Sequence, residues 1–138
     1  MLHARVALPK GEEDVAHIRV SIAKGQSGAQ RWVSLPVDSG AKYLTLPRRV
    51  LVSLGIRPIR RESFPVGDGR PLVRDVGIAV VRYRGTSTRT QVIFGEPGDM
   101  CILGVVALKE LCLELNPRSG RVRKSEPCLL PFRTAQGT

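Results

Sequence analysis

The sequence offers one acidic side chain in a position suited to acid–base chemistry. Asp38 follows the apolar stretch 32–37, and Ser39, Gly40 and Ala41 separate it from a second apolar stretch, 43–47. If both stretches are buried strands, the loop between them lies close to the core, where a carboxylate is costly unless it is hydrogen-bonded. A carboxylate held on such a loop can take a proton from a water molecule. Asp38 is therefore the first candidate for a catalytic residue.

A second motif lies about two thirds of the way along the chain. Ile102, Leu103 and Gly104 are two apolar residues and a glycine, and residues 105–111 after them have the apolar spacing of a helix. Asp-Ser-Gly by itself is also typical of an Asx turn in unrelated loops. Together, however, the two motifs resemble the signature of the retropepsin-like aspartic proteases, the small single-lobe relatives of pepsin. The resemblance covers residues 15–123.

The resemblance implies a mainly β fold, in which a small closed barrel-like lobe carries one or two short helices and a flap hairpin. It also implies an aspartic endopeptidase without a cofactor, in which one carboxylate takes a proton from water and a second donates one to the substrate carbonyl. The chain supplies one such carboxylate and is half the size of a two-lobed pepsin, so a working site requires a homodimer. The implied catalytic residues are Asp38, Ser39 and Gly40, and the implied substrate-binding residues are Ala41, Gly67, Asp68 and Gly69.

The elements that would position Asp38 follow from the pattern around it. Ile18, Val20 and Ile22 alternate with polar residues, and the turn 24–28 leads into a second strand, 31–37, which delivers Asp38 at its end. His17 on the first strand is interpreted as a surface residue rather than a ligand. The sequence divides into an N-terminal arm (1–14), a protease-like domain (15–124) and a C-terminal tail (125–138).

The rest of the domain is predicted to be strands with two short helices. Residues 64–73, with Gly67-Asp68-Gly69 in the middle, predict a hairpin at the place of the flap, although an ordinary surface hairpin has the same pattern. Pro47 opens a short helix that ends at Gly55. Further strands are predicted over 76–84, 88–94, 100–103, 113–115 and 121–123.

Charge supports an alternative function. Lys and Arg number 22 against 12 acids, a net charge of +10, which would attract nucleic acid or other acidic partners. The basic residues are dispersed, and aromatic residues are 4% of the chain, too few for stacking platforms, so nucleic-acid binding is not favoured. Lys42 and Tyr43 stand where viral members of the family often carry substrate-gripping acids. The alternative is a catalytically inactive retropepsin-like module that binds peptides or nucleic acid.

The apolar runs and the cysteines of the sequence bear on location and on redox chemistry. No apolar run approaches the roughly 18 residues of a membrane span, and residues 1–5 do not open a signal peptide, so a cytoplasmic protein without a membrane partner is expected. Cys101, Cys112 and Cys128 are an odd number and lack metal-ligand spacing. We expect buried free thiols and no metal site.

Overall fold

The computed structural model describes residues 17–67, 69–116, 118–125 and 128. Strands dominate this part of the chain and two short helices accompany them, which confirms the mainly β prediction. In chain order the elements are β1 (His17–Ala23), β2 (Gln30–Pro36), β3 (Leu44–Pro47), α1 (Arg48–Ser53), β4 (Arg60–Phe64), β5 (Leu72–Tyr83), β6 (Thr86–Gly95), α2 (Val105–Glu110), β7 (Leu113–Leu115) and β8 (Val122–Lys124). The predicted arm (1–14) lies outside the described residues, as does the predicted tail (125–138) except for Ser125 and Cys128.

Six of the strands form one sheet. The strand order is β2-β1-β5-β6-β3, and β4 pairs with β5 as well. Every pair is antiparallel except β3 with β6, which is parallel and is joined by a long crossover through α1, β4 and β5. Within the described residues β2 and β3 end this strand order, so closure into a barrel stays a prediction.

The hydrophobic core lies between the sheet and the two helices. Alternate residues of the strands point into it, because successive side chains of a strand lie on opposite faces. Its fully buried members include Val20, Ile22, Leu44, Leu46, Leu51, Phe94, Leu103 and Leu111. A second, smaller group consists of Tyr43, Val76 and Ile93 with Phe64 packed against it, and we call it the Tyr43 cluster.

The predicted hairpin at 64–73 is present, but it belongs to a larger element. β4 pairs with the first part of β5 from Arg60 opposite Val76 to Phe64 opposite Leu72. β5 then continues without a break to Tyr83, where the sequence predicts a separate strand beginning at residue 76. One long strand serves here because its first part pairs with β4 and its later part with β6 and β1. We call β4 with residues 72–76 the hairpin base.

The prediction of three free thiols is wrong for Cys112 and Cys128, which form a disulfide; Cys101 is free. β7 and β8 form a two-stranded antiparallel sheet that turns the chain back toward the end of α2. There the Ser125 amide donates a hydrogen bond to the Cys112 carbonyl at 2.8 Å. The thiols are therefore brought together by the β7–β8 return, which composition and spacing did not reveal.

Among the described residues, none of the helices is both long and apolar enough to cross a membrane.

Candidate active site

Asp38 lies in the loop that joins β2 to β3. Its side chain is half-buried, whereas Ser39 and Gly40 are exposed. The Gly40 amide donates a hydrogen bond to Asp38 Oδ1 at 2.8 Å, and the Ala41 amide donates to the Asp38 carbonyl at 3.1 Å. Such an Asx turn lets a short acidic side chain satisfy the backbone two residues on. The loop's own backbone therefore positions the carboxylate.

A two-residue segment from elsewhere in the chain passes between the two ends of this loop. On one side the Leu103 amide donates to the Pro36 carbonyl at 2.9 Å, and the Asp38 amide donates to the Leu103 carbonyl at 3.1 Å. On the other side Ile102 and Thr45 exchange hydrogen bonds of 2.9 and 3.2 Å. Leu103 itself is fully buried in the core. The position of Asp38 is thus fixed by residues 102–103, which form two isolated β-bridges where the sequence predicts a strand over 100–103.

Helix α2 fixes the far side of the same loop. The Val105 amide donates to the Ala41 carbonyl at 2.8 Å, and the Val106 amide donates to the Lys42 carbonyl at 3.1 Å. The first amides of a helix lack partners within the helix, and here the loop supplies them. Gly104 permits this approach, because a Cβ on it would lie 2.7 Å from the Lys42 carbonyl carbon and oxygen. The Ile-Leu-Gly motif therefore holds the Asp38 loop by direct backbone contact.

Tyr43 joins the Asp38 loop to the hairpin base. Its side chain is 8% exposed and packs with Val76 and Ile93 in the Tyr43 cluster. Its ring meets the Phe64 ring edge to face, with centroids 6.2 Å apart. Neighbouring Lys42 is exposed, and its Nζ lies 5.2 Å from the Tyr43 ring centroid. Tyr43 thus serves as an apolar contact between the Asp38 loop and the hairpin base.

The predicted substrate-binding residues fall in two places. Ala41 is buried within the Asp38 loop, at 3% exposure. Gly67 and Gly69 lie beyond the last pair of the hairpin, and Gly69 has a φ of +98°, a conformation that favours glycine. Asp68 lies outside the described residues. Among the contacts described, the loop meets the hairpin at Tyr43 and Phe64.

Sequence reasoning missed an ion-pair network on the hairpin base. Asp75 accepts a hydrogen bond from Arg48 Nη2 at 2.9 Å and one from Arg61 Nε at 3.2 Å. Arg48 Nη2 also donates to Glu96 Oε2 at 2.8 Å. The hydrogen bond from Arg48 is the main reason that the pKa of Asp75 lies below its ordinary value of 3.8. This network ties β5 to the start of α1 and to the turn after β6.

A second ion pair on β5 is more buried. Arg74 Nε and Nη2 donate to the two carboxylate oxygens of Asp99 at 2.7 and 2.9 Å. The side chains are 14% and 9% exposed, and Asp99 also accepts the Glu96 amide at 2.8 Å. Alternation along β5 could have revealed that Arg74 shares a face with buried Val76. For residues 96–99 the sequence predicted only a polar turn.

Two surface cavities lie near these elements. A cavity of about 250 Å³ adjoins the Asp38 loop and is lined by residues that include Ser39, Val105, Leu108 and Ser125. A larger groove of about 580 Å³ follows the start of α1 and the turn 95–99, and its lining includes Arg48, Val52 and Cys101 but not Asp38. Burial is the main cause of a raised pKa at the Cys101 thiol, which disfavours the thiolate there.

In the part of the chain that the structure describes, no group of three or more His, Cys, Asp or Glu side chains is arranged to hold a metal ion.

Comparison with known proteins identifies no family, because neither a protein-family model nor a curated protein matches the chain.

Proposed function

We propose that the chain is a retropepsin-like aspartic endopeptidase that acts as a homodimer, with Asp38 of each copy supplying one of the two catalytic carboxylates. The observation that carries the proposal is the threading of residues 102–103 between the two ends of the Asp38 loop. That arrangement joins the two sequence motifs, one beginning at Asp38 and the other at Ile102, in one hydrogen-bonded unit.

The proposed chemistry needs two carboxylates that share one proton. The ionised carboxylate takes a proton from a water molecule, whose oxygen attacks the peptide carbonyl carbon. The protonated carboxyl donates its proton to the carbonyl oxygen, and collapse of the resulting gem-diol breaks the C–N bond as the amine is protonated. Asp38 is the candidate for both carboxylates, one from each copy.

The exposure of the loop is compatible with a second copy at this place. Ser39 and Gly40 are exposed beside half-buried Asp38, and the cavity of about 250 Å³ adjoins Ser39. In an isologous dimer the same loop would meet itself across the two-fold axis. Ser39 would then brace the two loops, and closure of the lobe into a barrel and of the hairpin over the substrate belong to the same proposal.

The test is cleavage of an unstructured protein and of a mixed peptide library, followed by mass spectrometry. Asp38→Asn keeps the size of the side chain but removes its acid–base capacity, so we expect cleavage to fall by about 10³-fold. Glu110→Gln is the matched control, an acid-to-amide change on α2, and should cleave as the native protein does. Cleavage by Asp38→Asn at the native rate would overturn the proposal, as would a native protein that cleaves nothing.

One observation favours the second candidate, a nucleic-acid-binding module. Trp32 on edge strand β2 is 50% exposed, and the Arg19 guanidinium lies 5.4 Å from its ring centroid. An exposed aromatic ring beside arginine is a surface on which a base can stack. Salt-sensitive quenching of Trp32 fluorescence by a single-stranded oligonucleotide, in a protein without peptidase activity, would select this function.

A further inference from the structure

The hairpin base is attached to the rest of the protein at three points, one of them in the Asp38 loop. Tyr43 packs on Phe64 at the end of β4, and Asp75 pairs with Arg48 on one side of β5. Arg74, the neighbour of Asp75 on the strand, points to the opposite face and pairs with Asp99. Both faces of β5 are therefore tied to the body of the protein.

The pair of Arg74 and Asp99 differs from the other ion pairs in burial and geometry. Its side chains are 14% and 9% exposed, whereas those of Arg61 and Asp75 are 73% and 17% exposed. Two parallel hydrogen bonds from a guanidinium to a carboxylate fix the orientation of both groups, and burial protects them from screening by salt. Removing Arg74 therefore takes from Asp99 two charge-assisted hydrogen bonds that fix the orientation of its carboxylate.

Asp99 leads directly into the segment that holds the catalytic candidate. It lies three residues before Ile102, which bonds to Thr45, and four residues before Leu103, whose carbonyl accepts the Asp38 amide. A second bond, from the Glu96 amide to Asp99 Oδ2, stiffens the turn that carries it. Arg74 and Asp99 therefore connect the hairpin base to the chain segment that leads to the Asp38 loop.

We infer that Arg74 and Asp99 form a clamp that sets the position of the hairpin base relative to the Asp38 loop. The clamp makes Arg74 a positioning residue for substrate binding, a role that rests on the proposed peptidase function. With the clamp in place, closure over a peptide starts from a base already aligned with the carboxylate. Without it, the hairpin must be ordered by the substrate itself, which weakens binding more than it slows the chemical step.

Hydrogen exchange measured by mass spectrometry tests the clamp without requiring activity. In Arg74→Met we expect amides of residues 60–64 and 72–76 to exchange about tenfold faster, while those of β7 keep their native rates. Asp99→Asn should give the same local pattern, and Arg74→Lys, which keeps the charge, a smaller one. Arg61→Met is the matched control, because Arg61 lies on the same hairpin but is 73% exposed, and Asp75 keeps its hydrogen bond from Arg48, so exchange should rise far less than in Arg74→Met.

Kinetics distinguish positioning from general destabilisation. For Arg74→Met we expect KM to rise about tenfold with kcat changed less than about twofold, because the chemistry of Asp38 is untouched. Unchanged exchange in the hairpin base, or an equal increase over all strands, would overturn the clamp. A native protein that shows the clamp in exchange but cleaves no peptide would overturn the proposed function and leave the clamp as a structural contact, so the two failures are distinguishable.

Discussion

At the scale of single residues, Gly104 lies against the backbone of the Asp38 loop. A methyl group on it would lie 2.7 Å from the Lys42 carbonyl and 2.8 Å from the Tyr43 nitrogen, and both neighbours are backbone. Backbone cannot swing aside as a flexible side chain does, so either α2 or the Asp38 loop must shift.

We therefore predict that Gly104→Ala destabilises the protein by about 1–3 kcal/mol and lowers peptidase activity more than stability alone explains. Thermal unfolding and cleavage, measured together below the unfolding temperature, check this. Gly25→Ala is the matched control, since a Cβ there meets no atom within 4 Å and the backbone is not left-handed. An active, fully stable Gly104→Ala variant would show that the loop does not depend on this approach.

Residue identities in the sequence carried information about the Asp38 loop but little about its neighbours. Asp38 and Gly104 stood out because their types are rare between apolar runs and because both belong to a motif. The partnership of Arg74 with Asp99 did not stand out, since it depends on strand β5 meeting the turn after β6, 25 residues further along the chain. In the sequence, Tyr43 departed from the pattern of the retropepsin-like family that the chain resembles, whose viral members often carry an acid there. Its burial against Phe64 shows why an aromatic residue fits at this position.

At the scale of elements, the hairpin base is stabilised by charge. Asp75 faces Arg48 and Arg61, and the hydrogen bond from Arg48 is the largest cause of its lowered pKa. A carboxylate with a depressed pKa contributes stability above its ordinary value of 3.8, and that contribution is lost as the pH falls through the lower value in the folded protein.

We expect Asp75→Asn to lower Tm at pH 7 by a few degrees, and the difference from the native protein to close as the pH falls below 3.8. The loss is on the order of 1 kcal/mol or less, because Arg48 is 37% exposed and solvent screens the pair. Glu114→Gln, which removes the exposed pair with Arg123, serves as the control and should change Tm little. A difference in Tm that stays constant from pH 7 to pH 3 would contradict the role of this charge.

Element types followed from the sequence more readily than element boundaries. Alternation gave β1, β2 and β6, and the proline and glycine flanking α1 marked its ends. The break expected before residue 76 is absent, because β5 exchanges one partner for another without a turn. The disulfide between Cys112 and Cys128 was missed for a similar reason, since the β7–β8 return that joins them leaves no mark in their spacing.

At the scale of the whole molecule, the two-fold pairing of Asp38 loops is the central claim. A net charge of +10 on each copy opposes association, so the dimer should strengthen as salt screens that repulsion.

The disulfide bears on location, since such bonds persist mainly in oxidising compartments, whereas the sequence predicted a cytoplasmic protein.

The most direct test is a crystal structure of the protein with a peptide-like inhibitor that carries a hydroxyl in place of the scissile carbonyl. The hydroxyl oxygen stands in for the attacking water. We predict two copies related by a two-fold axis, with a carboxylate oxygen of each Asp38 within about 3 Å of that hydroxyl. A complex in which the chain is monomeric, or in which the two Asp38 loops lie apart, would contradict the dimeric peptidase.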